Sequence, residues 1–368
     1  MAARLVRRHG ASHTPKGQPA CRSVRTQGAH EDHPGTHREE APDDPGWTRR
    51  RAGRGFVYLD QSGRRLTPEE AERVKSLVIP PAWRDVWVCP WPNGHLQAVG
   101  TDDAGRRQYL YHPAWRTQRD AAKHVRVVEL GRVLSRAREQ VLVDLGTDGM
   151  SQDRACAVAV RLIDLGYFRI GNDVYAEENG SFGLTTLQRQ HVRRKGAALV
   201  FCFVGKSGIE HCITIDDAAV VEALEVMRRR RGPADEELLA WKEGRRWHDL
   251  DSGHVNDYVR RTTGLDATAK DFRTWHATVI AAASLAESTE PGDTKASRKR
   301  AEVAAMKEVA EFLGNTPALA RSSYVDPRVV DAYEEGTTIR AATRRKAATP
   351  SERQTVLERA VLRLLRDA

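Results

Sequence analysis

The chain has 368 residues, of which 40% are hydrophobic, and its 59 Lys and Arg residues exceed its 50 Asp and Glu residues to give a net charge of +9. This length and apolar content fit a folded, soluble protein of two or three domains. The basic excess favours a polyanionic partner, because each phosphate that a cation neutralises releases condensed counterions.

Cysteine spacing and hydropathy argue against other classes of protein. The five cysteines lie far apart without a Cys-x-x-Cys pair, which argues against a zinc site, and their odd number argues against the disulfide framework of a secreted protein. No run approaches 18 apolar residues, and the N-terminus lacks the apolar core of a signal peptide. We therefore expect a cytoplasmic protein with no metal site and no membrane segment.

Residues 1–52 are rich in His, Gly, Pro and charged side chains and have almost no apolar periodicity. Such a segment buries too little surface to offset the entropy lost on ordering. We expect it to be a disordered basic arm.

Residues 53–118 contain short alternating runs separated by Pro-Asn-Gly and Asp-Ala-Gly turns, which are typical of antiparallel strands. Between two of these runs, Thr67 and Glu70 have the spacing of a capping box, with Pro68 at the first helical position. The helix that they predict must end before Pro80. A small β-rich domain is expected here.

Residues 119–338 have mainly helical patterns. SQDRACAVAVRLIDLG, FRTWHATVIAAASLA and KRAEVAAMKEVAEFLG predict helices, the last ending at Gly314. One interruption, ALVFCFVGKSGIEHCITI, predicts a β-hairpin with Lys206 at its tip. Residues 339–368 predict a basic, partly helical tail. The fold class is therefore α+β, with a small antiparallel sheet domain before a larger, mainly α-helical domain that contains an embedded β-hairpin.

Five side chains of the helical domain fit phosphoryl transfer on a nucleic-acid backbone. The nonbridging phosphate oxygens need fixed cations or donors, preferably Arg, and the leaving oxygen needs an acid. The candidates, in chain order, are Arg169, Lys206, Arg273, Asn315 and Tyr324.

Each candidate also has a purely structural interpretation, and Arg169 could pair with Asp173 four residues later. Arg273 could pair with Asp271 at a helix start, and Lys206 could be a solvated turn residue. Asn315 could be an ordinary turn former after a helix, and Tyr324 could pack on the core. The pattern becomes specific only when all five are considered in order.

That order carries a resemblance to a known family. The stretches RIGNDVYAEENGSFGLTTLQRQHV, GKSG, KDFRTW and GNTPALARSSYVDP closely resemble type IB DNA topoisomerases of the bacterial, poxvirus-like kind. The upstream IPPAWRDVWVCPWPNGHLQAVGTDDAGRRQYLYHPAWR looks like the N-terminal domain of that family. The resemblance spans about residues 55–333 and implies relaxation of supercoiled duplex DNA by transient single-strand cleavage and religation. It implies no cofactor, no ATP and no obligatory metal, and the sequence contains no GxxxxGK[ST] phosphate loop.

The resemblance implies a role for each candidate. Tyr324 would be the nucleophile that forms a 3′-phosphotyrosyl link, and Arg169 and Arg273 would hold the nonbridging oxygens. Lys206 would be the general acid that protonates the departing 5′ oxygen. Many relatives have His where this chain has Asn315, and Asn can donate a hydrogen bond but cannot exchange a proton near neutral pH.

The resemblance also implies a DNA-binding surface. In the first domain Gln108, Tyr109 and Tyr111 match residues that face the major groove, Arg106 and Arg107 are candidates for phosphate contacts, and Tyr175 matches a DNA-contacting tyrosine of the second domain. Tyr109 and Tyr111 could instead be half-buried sheet residues. Two domains joined by a linker near residues 117–135 suggest a monomer that clamps around duplex DNA at the nucleoid.

Two other functions are compatible with parts of the pattern. A tyrosine site-specific recombinase uses the same type of site, but its usual His-x-x-Arg box is replaced here by Lys270 three residues before Arg273. A non-catalytic DNA-binding protein could have the same fold, although all five candidate positions are occupied by competent residues. Both alternatives are less consistent with the sequence than a topoisomerase.

Overall fold

The computed structural model describes residues 45–165, 168–171, 180–288 and 294–367. The chain divides into two compact units, one ending at Trp115 and the other beginning at Arg116. The expected α+β fold is confirmed. Within the described ranges, no helix is both long and apolar enough to cross a membrane.

The first unit is built on one antiparallel sheet. Its five strands have the order β2-β1-β3-β4-β5, so only β1 is out of sequence order. One helix, α1 (Pro68–Ser76), lies between β2 and β3 in the sequence. The strands are β1 (Trp47–Ala52), β2 (Gly55–Leu59), β3 (Arg84–Val88), β4 (Leu96–Thr101) and β5 (Arg107–Tyr111).

The predicted capping box is confirmed. The Thr67 hydroxyl accepts the N–H of Glu70, the Glu70 carboxylate accepts the N–H of Thr67, and Pro68 begins α1. Val74 of α1 is fully buried and packs with Trp47 and Val88 of the sheet, among others. One helix and one sheet face thus share the core of this unit.

The second unit is mainly helical. Its long helices are α2 (Pro113–Leu145), α3 (Gln152–Asp164), α4 (Ala218–Arg228), α5 (Ser252–Thr263), α6 (Ala269–Glu287) and α7 (Lys295–Leu313). Shorter helices and a final long one follow, namely α8 (Pro317–Ser323), α9 (Pro327–Glu334), α10 (Arg340–Thr343) and α11 (Pro350–Asp367). A three-stranded antiparallel sheet is formed by β6 (Val192–Lys195), β7 (Ala198–Val204) and β8 (Glu210–Ile215), and a separate hairpin by β9 (Ala240–Glu243) and β10 (Arg246–Asp249).

Helix α6 is the centre of the second unit. Most of its residues are buried, including Phe272 and Trp275, which are almost completely inaccessible. It contacts α3, α7, α9, α10 and α11. A helix that is buried on most faces is surrounded by other elements, so residues on α6 are held more rigidly than residues on a surface helix.

The predicted hairpin is confirmed as β7 and β8, with Lys206 in the turn between them. His211, Ile213 and Ile215 alternate on the more buried face of β8. Cys202 and Cys212 are directly opposed across the two strands and form a disulfide. Their separation in sequence does not reveal this pairing, because only the hairpin register brings the two sulfur atoms together.

Three predicted boundaries are wrong. Residues 47–52, assigned above to the arm, form β1, because Trp47 is only 6% exposed in the core and the strand pairs with β2 and β3. The linker expected near residues 117–135 lies inside the continuous helix α2. Residues 339–368 are not a separate tail, since Val361 and Leu365 of α11 lie in the main core. Residues 1–44 of the predicted arm lie outside the described residues.

A buried ionic network joins α2, α3 and α11. The guanidinium of Arg138 donates to Asp164 at 2.7 and 2.9 Å and to Glu358 at 2.7 and 2.8 Å. Burial by itself would raise the pKa of Asp164, but the contacts of His276 and Arg138 outweigh it and hold that pKa well below its usual range. The C-terminal helix is therefore part of the folded unit through both apolar and ionic contacts.

We expect Glu358→Gln to lower the free energy of unfolding by about 1–3 kcal/mol, because the variant keeps the shape of the side chain but leaves Arg138 with one buried carboxylate partner in place of two. Urea unfolding followed by circular dichroism measures the change. The control is Arg359→Ala, an exposed neighbour on the same helix, which should shift stability by no more than about 0.5 kcal/mol. Equal stability of Glu358→Gln and the wild type would show that the contact between Glu358 and Arg138 does not contribute to the free energy of unfolding.

Candidate active site

Two arginines meet at the C-terminal end of α7. Nη2 of Arg169 donates to the carbonyl oxygens of Leu313 and Gly314 at 3.0 and 2.8 Å, and Nη2 of Arg273 donates to the Leu313 carbonyl at 2.6 Å. Gly314 ends the helix in the left-handed conformation, with φ of 61°. The last carbonyls of a helix have no intrahelical partner and carry the negative end of its dipole, so they stabilise cations.

One short loop positions Arg169 and the hairpin together. The carbonyl of Arg169 accepts the N–H of Leu184 at 2.7 Å. Two residues earlier, the N–H of Phe182 donates to the carbonyl of Val204 at 2.8 Å, at the end of β7. The same loop therefore holds the backbone of Arg169 and the base of the hairpin that carries Lys206.

The hairpin tip lies at a cleft beside the two arginines. The cleft has a volume of about 160 Å³, and its walls include Arg169, Arg273 and Lys206. Lys206 is exposed. Three of the five predicted side chains thus line one concave surface, although they are 37 and 67 residues apart in the sequence.

Asn315 contributes both an acceptor and a free donor. Its Oδ1 accepts a hydrogen bond from Nη2 of Arg169 at 3.0 Å, which fixes the orientation of the amide. Its Nδ2 is buried and has no hydrogen-bond partner among the described residues. Because buried donors are almost always paired, this one is suited to an acceptor atom of a ligand.

Tyr324 directly follows α8, and its phenol lies near enough to Arg273 to raise the pKa of that guanidinium. Its backbone is anchored on two sides. The Tyr324 carbonyl accepts from the Thr278 hydroxyl of α6 at 3.4 Å, and Nζ of Lys123 in α2 donates to the carbonyl of Ser323 at 3.2 Å. The tyrosine is therefore held by buried elements and is not part of a loose loop.

A second anchor is an ion pair between α7 and α8. Nε of Arg321 lies 2.8 Å from a carboxylate oxygen of Glu302, which is only 3% exposed as a residue. Lys299 contacts the other oxygen of Glu302 at 2.8 Å. The short helix that leads into the tyrosine is thereby tied to the helix whose end holds the arginines.

The site places two positively charged arginines next to each other. Burial lowers the pKa of Arg273 from its ordinary value, the nearby charge of Arg169 lowers it further, and Tyr324 opposes both effects. Within the described parts of the chain, neither guanidinium forms an ion pair with a carboxylate. The alternative pairing of Arg273 with Asp271 is wrong, since Asp271 caps α6 and pairs with Arg126 at 3.0 Å. The site therefore presents two adjacent cations without a counter-ion.

No group of three or more His, Cys, Asp or Glu side chains that could hold a metal ion occurs in the ranges that the structure describes. The polar chemistry of the cleft comes from Arg, Lys and Asn donors and one phenol. These groups bind anions, not cations.

The first unit carries its candidates on the two faces of β5. Arg107, Tyr109 and Tyr111 lie on the more exposed face, where the two tyrosines are 46% and 42% exposed, so roughly half of each tyrosine is accessible to a ligand. The Tyr111 ring stacks on Trp115 with centroids 4.5 Å apart. The three side chains form a basic and aromatic surface, which we call the β5 face.

Two predicted contact residues lie apart from the β5 face. Gln108 points to the opposite side of the strand, where its amide donates to Asp102 at 2.9 Å. Arg106 also pairs with Asp102, at 3.0 Å. Their donors are already engaged within the unit. Tyr175, the remaining predicted contact, lies outside the described residues.

Two residues that the sequence did not single out belong to the site. His211 of β8 lines the same cleft as Arg169 and Arg273. The sequence shows His211 among alternating apolar residues of the predicted hairpin. A polar ring at an inward-facing position of this kind could have indicated a functional residue. No sequence pattern identifies Thr278, because its hydroxyl contacts the backbone carbonyl of Tyr324, which is 46 residues away.

We expect Thr278→Val to destabilise the protein by about 1–3 kcal/mol, because its hydroxyl accepts the N–H of Asp326 at 3.1 Å in a buried position and valine leaves that donor unpaired. Chemical denaturation measures the loss. Thr274→Val, one turn earlier and also buried, is the matched control, since its hydroxyl contacts only the carbonyl of Lys270 in its own helix. Equal effects of the two variants would contradict an anchoring role for Thr278.

Comparison with known proteins agrees with this geometry. Residues 112–350 match the model of the eukaryotic DNA topoisomerase I catalytic core, and residues 55–102 match that of the bacterial DNA topoisomerase IB N-terminal domain. The chain is 27% identical over 295 residues to DNA topoisomerase 1B of Acanthamoeba polyphaga mimivirus, covering 78% of this chain and 87% of that protein. It is 21% identical over 237 residues to DNA topoisomerase 1B of Vaccinia virus (strain Copenhagen), covering 64% of this chain and 72% of that protein. Since the catalytic-core match alone spans more than half of its length, the chain belongs to the eukaryotic-type DNA topoisomerase I family and joins that family's catalytic core to an N-terminal domain of the bacterial type IB kind.

Proposed function

We propose that the protein is a type IB DNA topoisomerase, which relaxes supercoiled duplex DNA by cutting and rejoining one strand. The observation that carries this proposal is the pair of guanidinium groups at the end of α7, which lack a carboxylate partner among the described residues and lie beside the Tyr324 phenol. An anionic ligand would remove the repulsion between the two cations, and a phosphodiester placed there would lie beside a nucleophile.

In the first step, the Tyr324 oxygen attacks the phosphorus atom of a backbone phosphodiester. The phenolic proton passes to water as the new bond to phosphorus forms, and the adjacent guanidinium groups stabilise the negative charge that develops. Arg169 and Arg273 would hold the nonbridging oxygens, on which negative charge accumulates in the transition state. Fixed guanidinium forks suit this task because they donate two parallel hydrogen bonds.

As the bond from phosphorus to the 5′ oxygen breaks, that oxygen takes a proton from Lys206. The tyrosine is then linked to the 3′ phosphate, and the departing strand ends in a 5′ hydroxyl. The reverse reaction restores the phosphodiester, because the covalent link conserves the energy of the broken bond. No nucleotide hydrolysis is needed, and the free strand can rotate while the link exists.

Asn315 would complete the set of donors around the phosphate. Its unpartnered Nδ2 is the kind of neutral donor that stabilises a phosphate oxygen. Its amide cannot take up or release a proton near neutral pH, so its contribution is limited to hydrogen bonding.

We further propose that the protein acts as a monomer on the nucleoid and that its two units close around the duplex. The β5 face supports a DNA contact, because exposed tyrosines beside Arg107, which has no carboxylate partner among the described residues, offer both apolar and cationic surface to a groove. The net charge of +9 also favours binding to the phosphates of DNA.

The test of the function is relaxation of supercoiled plasmid with EDTA present and ATP absent. We expect a ladder of relaxed topoisomers and, after rapid denaturation, protein covalently attached to a 3′ end. If the protein binds the plasmid but leaves it supercoiled without an adduct, the topoisomerase proposal fails and a non-catalytic DNA-binding protein remains.

Tyr324→Phe should abolish both relaxation and the adduct while leaving DNA binding within about twofold, because it removes only the attacking oxygen. Adducts are measured by denaturing gel electrophoresis and binding by fluorescence anisotropy. The control is Tyr333→Phe, a partly buried tyrosine one helix further along, which should remain active. An adduct in the Tyr324→Phe variant would mean that another residue is the nucleophile.

Substitutions on the β5 face should separate phosphate contacts from apolar ones. Arg107→Ala should reduce the slope of log K against log salt concentration by about 1, whereas Tyr109→Ala should weaken binding without changing the slope. Arg106→Ala is the matched control, since its charge is already paired with Asp102, and its slope should change less than that of Arg107→Ala. Identical slopes for the wild type and Arg107→Ala would exclude this face from phosphate binding.

A further inference from the structure

His211 is a titratable side chain of the cleft whose chemistry the proposed mechanism does not use. It lies on the inward face of β8, five residues after Lys206, and lines the cleft with Arg169 and Arg273. Its ring packs against Phe203 on the facing strand, with centroids 5.2 Å apart and an interplanar angle of 26°. The imidazole is therefore a built part of the hairpin and of the cleft wall.

The imidazole supports the tip of the hairpin. A β-carbon added to Gly205, the residue before Lys206, would lie only 2.7 Å from Cδ2 and Nε2 of His211. Position 205 must therefore be glycine for the ring to lie against its backbone. The N–H of Gly205 also donates to the carbonyl of Ile209 at 2.7 Å, which closes the turn around this contact.

The same ring approaches the arginine pair. A β-carbon added to Gly314 would lie 3.6 Å from Nη2 of Arg169 and 3.9 Å from Cε1 of His211. His211 thus spans the distance from the hairpin tip to the helix end that binds both guanidinium groups. Phe203 extends the contact in the other direction, since it stacks on Phe168 next to Arg169 with centroids 6.0 Å apart.

The charges around the ring favour its neutral form. Burial lowers the pKa of His211, and the charges of Arg169 and Arg273 lower it further. The other charged side chains that line the cleft are Lys206, which acts in the same direction, and Glu311, which acts against it. A neutral imidazole can remain beside two guanidinium groups, whereas a protonated one adds a third positive charge at close range.

We propose that His211 is a positioning residue for Lys206, supporting the hairpin tip at Gly205 so that the ammonium group faces the cleft beside Arg169. This inference rests on the proposed function, because it assigns His211 to the delivery of the general acid. The imidazole itself transfers no proton to the DNA. Its protonation undocks the tip, so proton delivery to the leaving oxygen weakens at acidic pH.

The experiment compares two leaving groups in single-turnover cleavage by the full-length protein. The substrate is a duplex oligonucleotide carrying a cleavage site first mapped on plasmid DNA, made with either the normal 5′ oxygen or a 5′ sulfur at the scissile phosphate. A thiolate leaves without an acid. We expect His211→Ala to slow cleavage of the oxygen substrate by about tenfold or more and to cleave the sulfur substrate within about twofold of the wild type.

Two further variants separate positioning from a general loss of structure. Lys206→Ala with His211→Ala should be no slower on the oxygen substrate than Lys206→Ala alone, because both remove the same proton delivery. Thr214→Ala, exposed on the outer side of the same strand, should cleave both substrates at the wild-type rate. Additive losses in the double variant, or an equal loss on both substrates in His211→Ala, would overturn the inference.

The pH dependence supplies a readout that a merely structural role would not change. As pH falls through the depressed pKa of His211, the ratio of oxygen to sulfur cleavage rates should fall in the wild type. His211→Phe keeps an aromatic ring on Phe203 but cannot be protonated, so its ratio should stay constant over the same range. A ratio that falls equally in both proteins would overturn the inference. If the wild type cleaves neither substrate, the proposed function itself fails.

Discussion

Two like charges lie against the end of one helix, and the rest of the site is arranged around them. Arg169 and Arg273 both donate to the Leu313 carbonyl, and no carboxylate neutralises either one in the described parts of the chain. Buried charges are normally paired, since desolvation without compensation costs several kcal/mol per ion. The helix end supplies part of that compensation through its carbonyls and its dipole, which carry only partial negative charge. A phosphate has the full negative charge and the acceptor oxygens that suit two adjacent guanidinium groups.

This constraint explains why segments far apart in sequence must meet. The helix that ends at Gly314 packs along α6, which carries Arg273, while the loop at residues 182–185 holds Arg169 and the hairpin base together. The turn after α7 leads within ten residues to Tyr324, whose backbone is fixed by Thr278 of α6. Apart from Lys206, whose hairpin is bonded to the loop that holds Arg169, each catalytic candidate is thus attached directly to α6 or to α7. Because α6 and α7 pack along each other, the two cations and the phenol are positioned by one pair of packed helices.

Much of this could be predicted from the sequence where the determinants are local. The capping box at Thr67, the end of α7 at Gly314 and the hairpin around Lys206 each depend on neighbours within a few residues, and all three are confirmed. Features that depend on residues far apart in the sequence were either predicted wrongly or not predicted at all. An amphipathic pattern shows that residues 350–367 form a helix but not that its apolar face completes the main core. The acceptor of Arg273 is a backbone carbonyl, which any residue at position 313 would provide, so no sequence pattern can identify it.

Burial and positive charge also limit which side chains of the site can exchange a proton. Asn315 cannot exchange one, and His211 is held neutral by burial and by the two guanidinium charges. Arg273 keeps its proton near neutral pH even though its pKa is depressed, because the ordinary value is so high. In the proposed cycle, only the phenol of Tyr324 and the ammonium of Lys206 gain or lose a proton, and religation reverses the two transfers made during cleavage. By microscopic reversibility the same groups serve both steps, so a site of this kind needs no further residue to restore the strand that it cuts.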